Sequence, residues 1–351
     1  MKTLIITLHS INNPGSAFQA YALNRYLTNL NIENEILDYR PAYSKIGKNK
    51  IKWLLKVILF LPNFLLANKK YTRFIKDNMV LSEKKYRSYS ELKSKTPKAD
   101  IYMTGSDQLW NPYYDCGQDD AYYLKFVSDG KKVAYSTSVG KDFLTESEEN
   151  KLIEKISDFK AISVREYSTY RLLSKKMSIP IKWVCDPVFL LKAEDYMHFL
   201  SPPKYVDYAV VYLSKRSQLL ESVISVAREK YGLTIIQAGG NTKRCSCDNI
   251  FSPVGPEDFL SLLYYSKLVI SSSFHATAFS LIFQKNFVAL LPDGNGDRIK
   301  SILKLTNLDW KLIEKEEDSL KAFDMPDYIE AESLLNPFVN ESKEFLMSMV
   351  R

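Results

Sequence analysis

A run of serines followed by a histidine stands near the end of the chain, between two apolar stretches. The apolar run Leu268 to Ile270 predicts a buried strand, and the apolar spacing from Ala278 to Phe283 predicts a helix. Ser271 to His275 then lie at the start of that helix, where backbone N–H groups attract anions, and histidine titrates near neutral pH. The segment therefore predicts an anion site beside an acid–base group. The alternative is a serine-capped core helix with an incidental histidine.

Two loops in the first half carry polar side chains at predicted strand ends. After the first strand, Gly15 permits close backbone approach and Ser16 can cap a helix, so a phosphate or a sugar fits there. An ordinary capped turn is the alternative. After the apolar run Ile101 to Thr104 comes GSDQLWNP, whose carboxylate and amide groups suit a hydroxyl-rich ligand, with Trp110 as a stacking face.

Two arginines occupy positions suited to an anion. Arg165 follows the predicted strand Ala161 to Val164, where its planar guanidinium can clamp a carboxylate or a phosphate. A surface pair with Glu166 is the alternative. Arg298 stands in the first turn of a predicted helix, where a cation opposes the helix dipole unless an anion is near.

Strand and helix signals alternate along the chain, and this pattern must position those loops. The alternation is broken near Ser201-Pro202-Pro203 and then restarts. Repeated strand–helix units favour parallel sheets with helices on both faces, and ligands of such sheets lie at the carboxyl ends of the strands. We therefore expect an α/β protein with two Rossmann-like domains facing across a cleft. Residues 1–195 form the first domain, residues 196–328 the second, and residues 329–351 a helix that crosses back to the first.

The positive charge of the chain is concentrated in one segment. The net charge is +7, yet Lys45 to Lys76 contains nine cations and no acid, so the remaining residues sum to −2. Within this basic insertion, near residues 43–78, lies an apolar run from Trp53 to Ala67. It is too short to span a bilayer but suits a helix in an anionic membrane interface. A buried core helix with a basic rim is the alternative, and the confined charge argues against a nucleic-acid-binding face.

The remaining composition is that of an ordinary globular protein, with 351 residues, of which 46% are hydrophobic and 25% charged. The four cysteines form no zinc-ligand pattern, and their number and spacing fit a reducing cytoplasm. The N-terminal apolar run is shorter than a signal peptide requires and predicts the first strand. We expect no metal site.

Five short motifs follow one another along the chain, and their order is informative. They are NPGSAFQAYAL from Asn13, GSDQLWNP from Gly105, SVRE from Ser163, DPVFLL from Asp186 and SSFHATAFS from Ser272. The series resembles the polysaccharide pyruvyl transferase family over roughly residues 1 to 305. That resemblance implies a GT-B-like architecture, phosphoenolpyruvate as donor, a sugar diol as acceptor, and no cofactor. Many members carry Arg-Leu before the histidine, where this chain has Ser273-Phe274.

The resemblance also implies roles for individual residues. His275 and Arg165 are the expected catalytic pair, with His275 moving protons during ketal formation. The expected donor-binding residues are Arg165, Ser272, Ser273, Phe274, His275 and Arg298. The expected acceptor-binding residues are Asn13, Gly15, Ser16, Gln19, Gly105, Ser106, Asp107, Gln108 and Trp110.

The function we expect is transfer of pyruvate onto a cell-surface polysaccharide or its lipid-linked precursor. The enzyme would work in the cytoplasm, held by its basic insertion at the inner face of the membrane. Two alternatives keep the fold: a glycosyltransferase that uses a nucleotide sugar, and a non-catalytic glycan-binding protein of the same pathway.

Overall fold

The chain divides into two units, each built around its own parallel sheet. A computed structural model describes residues 1–45, 59–213, 216–292, 296–319 and 321–351. Unit 1 comprises Met1–Leu59, Tyr71–Leu191 and Phe338–Arg351, and unit 2 comprises Phe60–Lys70 and Lys192–Pro337. The first part of the predicted interfacial run, residues 53–58, lies outside the described residues.

Unit 1 contains a six-stranded parallel sheet. Its strands are β1 (Thr3–Ile6), β2 (Asn34–Ile36), β3 (Ile101–Thr104), β4 (Lys131–Thr137), β5 (Ala161–Val164) and β6 (Ile181–Trp183), in the order β2-β1-β3-β4-β5-β6. Strands β1, β3 and β5 are buried along their whole length, as expected of apolar runs covered on both faces. The order reverses between β1 and β3. Ligands of open parallel sheets bind at such a reversal, beyond the carboxyl ends of the strands.

Unit 1 is completed by its helices, several of which begin at a side chain that accepts from the first turn. They are α1 (Pro14–Asn29), α2 (Leu61–Asn78, shared with unit 2), α3 (Tyr89–Ser94), α4 (Asp115–Gln118), α5 (Glu146–Ile156) and α6 (Tyr167–Lys176). Asn13 caps α1 with proline in its first turn, and Thr145 forms a capping box with Glu148 at α5. The α1 cap sets the direction in which the helix leaves the β1 loop.

Unit 2 contains a five-stranded parallel sheet. Its strands are β7 (Tyr208–Tyr212), β8 (Thr234–Ala238), β9 (Asn249–Phe251), β10 (Leu268–Ser271) and β11 (Phe287–Ala289), in the order β11-β10-β7-β8-β9. Its helices are α7 (Gln218–Glu229), α8 (Pro256–Tyr265), α9 (Phe274–Ile282), α10 (Asp297–Leu305) and α11 (Tyr328–Val350). The order reverses between β7 and β10, so the second binding edge lies beyond these two strands.

Helices α2 and α11 contribute residues to both units. The end of α11 packs on β6, where Phe338 and Trp183 have ring centroids 4.5 Å apart and the Ser342 hydroxyl accepts from the Cys185 N–H at 2.9 Å. The start of α2 groups with unit 2 rather than with the N-terminal domain in which the sequence placed the whole insertion. Lys70 explains this difference, since its ammonium lies 2.7 Å from the Asp258 carboxylate. No helix within the described ranges combines the length and the apolar character needed to cross a bilayer.

Candidate functional site

The reversal in the unit 1 sheet brings together the loops that follow β1 and β3. The Ser16 hydroxyl donates to the Asp107 carboxylate. The Gln19 amide donates to the Thr7 hydroxyl and to the Ser16 carbonyl, both at 2.9 Å, and Thr7 in turn donates to the Ser106 carbonyl at 2.9 Å. Residues from two distant motifs therefore form one hydrogen-bonded network at the carboxyl edge of the sheet.

Gly105 is required by the close packing of this edge. Its φ of +124° lies in the region that favours glycine, and a Cβ added there would lie 2.0 Å from the Tyr135 carbonyl oxygen. The next residue, Ser106, donates to the Ser136 carbonyl at 2.7 Å, and the Ser138 N–H donates to the Asp107 carbonyl at 2.9 Å. The loops after β3 and β4 thus hold each other in place.

Arg165 lies within this network rather than at its surface. Its guanidinium contacts the Asp186 carboxylate and lies 3.6 Å from that of Asp107, with only 1% of its side chain exposed. Burial alone would lower the pKa of Arg165, but the carboxylates of Asp186, Asp107 and Glu166 outweigh it and raise that pKa. The alternative of an exposed surface pair with Glu166 is therefore wrong, and contact with a substrate anion stays a prediction. In this structure Arg165 holds two carboxylates at the sheet edge.

Several expected acceptor-binding residues also face inward. Trp110 is 2% exposed, donates from its ring N–H to the Tyr122 carbonyl at 3.3 Å, and stacks on Tyr123. It offers no face to a sugar ring, which corrects the predicted stacking role. Gln19 and Ser106 are fully buried, so their polar groups serve the network. Of the expected set, Asn13 is exposed and Gln108 half-buried.

Glu166 is a site residue that sequence reasoning treated only as a surface partner. It is 1% exposed, and its carboxylate accepts from the Ser138 hydroxyl and from the backbone N–H groups of Val139 at 3.4 Å and Gly140 at 3.3 Å. It therefore organises the loop after β4. A carboxylate in an apolar strand-to-helix junction was the available signal, since a buried acid needs several donors.

A second buried charge cluster lies beside β1. The His9 ring nitrogen Nε2 lies 3.1 Å from the Asp38 carboxylate, and Nδ1 lies 3.3 Å from the Thr7 carbonyl. Arg40 also contacts Asp38, and the Lys85 ammonium lies 3.9 Å from it. Desolvation by burial raises the pKa of Asp38, but the hydrogen bonds from His9 and Arg40 outweigh it, so that the pKa is lowered. This ionised carboxylate positions His9 at the end of β1.

The reversal in the unit 2 sheet carries the serine–histidine segment. The Ser271 hydroxyl donates to the Tyr212 carbonyl at 2.6 Å and accepts from the Ser273 N–H at 3.0 Å. Ser273 caps α9, which begins at Phe274, and Thr277 donates to the Ser273 carbonyl at 3.2 Å. His275 lies in the first turn and is 8% exposed. The strand, turn and helix start all occur where the sequence placed them.

A cation lies beside this helix start. The Arg298 guanidinium, in the first turn of α10, lies 5.6 Å from the centre of the Phe274 ring, and that ring is 5.4 Å from the His275 ring. An arginine over an aromatic face is attracted by the ring electrons. Ser272, Ser273, Phe274, His275 and Arg298 are therefore grouped within one unit, at one sheet edge.

Arg244 lies at the same edge and was missed from the sequence. Its backbone N–H donates to the Gln237 side chain at 2.6 Å, and its guanidinium donates to the Leu213 carbonyl, just after β7, at 3.3 Å. A Cβ on Gly240, whose φ is +80°, would lie 3.2 Å from the arginine Nε. The available signal was the pair of glycines ahead of a cation in the loop after β8.

The described residues contain no group of three or more His, Cys, Asp or Glu side chains close enough to hold a metal ion. Cys245 and Cys247 are buried, with their sulfurs 3.9 and 3.8 Å from the Gln237 side-chain oxygen. Burial raises the pKa of Cys245 to about 12, so this thiol stays protonated and packs as part of the core.

Comparisons with known proteins agree with this architecture. A family model described as polysaccharide pyruvyl transferase matches residues 13–294. Comparison with curated proteins gives no significant match. Among solved structures, the UDP-GlcNAc 2-epimerase of Methanocaldococcus jannaschii, in complex with UDP-GlcNAc and UDP, is similar at a TM-score of 0.51 and 15% identity, over 97% of this chain and 100% of that one.

Two further solved structures share the fold. The UDP-GlcNAc 2-epimerase of Neisseria meningitidis bound to UDP-GlcNAc is 10% identical, with a TM-score of 0.52 over 100% of this chain and 99% of that one. The spinosyn forosaminyltransferase SpnP is 11% identical, with a TM-score of 0.50 over 100% of this chain and 99% of that one. Identities this low concern the fold alone. They confirm the expected class, two parallel-sheet α/β domains of the GT-B type.

Proposed function

This chain belongs to the polysaccharide pyruvyl transferase family, and we propose that it transfers pyruvate from phosphoenolpyruvate onto a pair of saccharide hydroxyls as a ketal. One observation carries the proposal beyond the family. His275 lies at a helix N-terminus at the topological reversal of the unit 2 sheet, with Arg298 beside the neighbouring Phe274 ring and Arg244 bonded to the carbonyl that follows β7. That arrangement suits a small dianion or trianion that must also exchange protons.

Phosphoenolpyruvate carries a phosphate and a carboxylate, so its site needs several fixed positive groups. We propose that the start of α9 at Ser273 binds one anionic group and that Arg298 and Arg244 supply the charge for the rest. The sequence alone did not suggest this role for Arg244. We propose that Arg165 acts by positioning Asp107 and Asp186 rather than by touching the donor.

The reaction balances without an oxidant, a reductant or a cofactor. One acceptor hydroxyl adds to C2 of the enol while His275 delivers a proton to the methylene carbon C3, which becomes the methyl group of pyruvate. The hydroxyl proton passes to the neutral imidazole. The second hydroxyl then displaces phosphate from C2, and its proton leaves with the phosphate. General acid–base catalysis of this kind contributes about 10²–10⁴ in rate.

We propose that the saccharide acceptor binds at the carboxyl edge of unit 1. The Asp107 carboxylate, held by Ser16 and Arg165, and the exposed Asn13 support this, because carboxylate and amide groups suit sugar hydroxyls. We further propose that the acceptor belongs to a cell-surface polysaccharide or its lipid-linked precursor, and that the protein works in the cytoplasm at the inner face of the membrane.

The test is phosphate release from phosphoenolpyruvate with a panel of glycan acceptors. His275→Ala should lower kcat by at least about 100-fold, whereas the exposed His198→Ala should leave it unchanged. Arg244→Gln and Arg298→Gln should each raise KM for phosphoenolpyruvate by roughly tenfold or more, the value of one charged hydrogen bond. Absence of phosphate release and of donor binding by the unmodified chain would overturn the proposal.

The same preparations separate the two alternatives. Thermal stabilisation by UDP- or GDP-sugars, with none by phosphoenolpyruvate, would favour a glycosyltransferase. Glycan binding that survives His275→Ala, with no chemistry in either assay, would favour a non-catalytic glycan-binding protein.

A further inference from the structure

Helix α2 leaves one side exposed, and that side combines leucines with cations. Leu61, Leu65 and Leu66 are exposed over its first turns, with Leu65 at 57%. Lys69, Arg73 and Lys76 are exposed over its later turns. Residues three and four positions apart share one face of a helix, so these six residues, the leucine–cation face, form a continuous stripe.

The opposite side of α2 is fixed by packing, so the stripe keeps its exposure. Phe74 is buried, with its ring centroid 5.0 Å from that of Phe18 and 6.0 Å from that of Tyr21. Lys70 points away from the stripe. Its ammonium lies 2.7 Å from Asp258 and 3.0 Å from the Pro253 carbonyl. The stripe is therefore a built surface of a folded helix.

Charge decides what this surface can bind. From Lys45 to Lys76 the sequence contains nine cations and no acid, and Asp77 is the first acid to follow, 3.5 Å from Arg73. A second copy of the face would meet it with like charge. An anionic bilayer offers opposite charge for the lysines and an apolar layer for the leucines.

We propose that the leucine–cation face docks the protein on an anionic lipid bilayer, with the leucines below the headgroups and the cations among them. The first half of α2 connects this face to the binding edge of unit 2. The Asn63 amide donates to the Asn241 side chain at 2.9 Å, and Asn241 lies in the loop after β8 that also carries Arg244. Docking through this face would bring the binding edge of unit 2 close to an acceptor anchored in the same bilayer. This connection with catalysis rests on the proposed function.

The test measures binding of the full chain to vesicles. Vesicles of phosphatidylcholine mixed with phosphatidylglycerol should sediment the protein, and vesicles of phosphatidylcholine alone should not. Lys69→Gln/Arg73→Gln/Lys76→Gln should lower the partition coefficient roughly 100-fold at low salt, since each cation contributes about fivefold. Leu61→Ser/Leu65→Ser/Leu66→Ser should lower it at least about tenfold, because leucine burial drives insertion.

Matched controls come from exposed residues elsewhere on the chain. Val206→Ser/Ile329→Ser removes exposed apolar groups, and Lys160→Gln/Lys204→Gln/Lys230→Gln removes the same charge; both should bind as the unmodified chain does. Equal binding to both vesicle types, or equal losses in the controls, would overturn the proposal. So would a dimer in sedimentation equilibrium that the leucine variant abolishes, since the face would then bind a second copy.

Two readouts keep this proposal separate from the enzymatic one. Vesicle binding needs no phosphoenolpyruvate, so it tests docking even if no pyruvate is transferred. Phosphate release with a water-soluble glycan should be unchanged in both α2 variants, which also shows that they fold. Loss of vesicle binding with retained phosphate release confirms docking as a separate property.

Discussion

The pair formed by Arg165 and Asp186 makes the stability of unit 1 depend on one buried charge. The two side chains are 1% and 0% exposed. Replacing Asp186 with asparagine keeps the shape and the acceptor for the Val188 N–H, now 3.0 Å away, but removes the charge. Removal of one partner from a buried ion pair costs about 3–5 kcal/mol, because the remaining charge is left uncompensated. We expect about 3 kcal/mol, since Asp107 still faces the guanidinium at 3.6 Å.

The measurement is thermal unfolding followed by Trp fluorescence. In a domain of this size, 1 kcal/mol shifts Tm by about 2–4 °C, so Asp186→Asn should lower Tm by about 6–12 °C. Asp186→Ala should cost about 1 kcal/mol more, because it also removes the cap of the turn Pro187–Leu190. Asp158→Asn is the control, since its pair with Lys132, at 2.6 Å, is partly exposed and contributes about 0–1 kcal/mol.

The two side chains of this pair should also be energetically coupled. Adding Arg165→Met to Asp186→Asn should cost less than the sum of the two single losses, because the interaction between the two side chains can be lost only once. A Tm for Asp186→Asn that falls no further than that of Asp158→Asn would refute the argument. Strictly additive losses in the double variant would refute it as well.

Three further results are expected. Burial lowers the pKa of Lys311 to about 7, so between pH 7 and about 10 the folded state binds fewer protons than the unfolded chain. Urea unfolding should therefore show that the free energy of unfolding rises with pH by up to about 1.4 kcal/mol per pH unit, relative to the Lys311→Met variant. A difference between the two proteins that stays constant with pH would contradict this. Gly105→Ala should lower the free energy of unfolding by more than about 2 kcal/mol. Gly232→Ala is the control and should lower it by about 1 kcal/mol, because no described atom lies within 4 Å of the added Cβ. Equal losses for the two variants in denaturant titrations would contradict this prediction. Gly240→Ala should raise KM for phosphoenolpyruvate by displacing the neighbouring arginine, whereas Gly239→Ala, with the same strained φ but open space, should not; a rise in both variants would point to backbone strain instead.

Local patterns predicted the elements well, because caps and apolar spacing act over a few residues. The serine–histidine segment is the clearest case, because α9 begins at Phe274, directly after its cap Ser273. Strand β9 was not predicted. Its three residues, Asn249–Phe251, contain too short an apolar run to distinguish a strand from a loop, and only pairing with β8 defines it.

Local sequence patterns could not predict the direction in which the loop side chains point. Trp110 and Gln19 were expected to face a saccharide, and both are buried in unit 1. A strand end places a loop at the sheet edge, but contacts with distant segments decide whether its side chains face ligand or protein. The Thr7 partner of Gln19 is twelve residues away, and the Asp186 partner of Arg165 is twenty-one.

The sequence by itself determined the alternation of strands and helices, the family, and the position of His275 at a helix start, because each depends on short-range spacing or on the order of motifs. Only the tertiary structure decided the strand order, and so the two reversals beyond which the candidate residues gather. It also decided that Arg165 is held by carboxylates and that Arg244 lies at the carboxyl edge of the unit 2 sheet. Such pairings follow from packing of segments far apart in the chain, where charge and burial are set together.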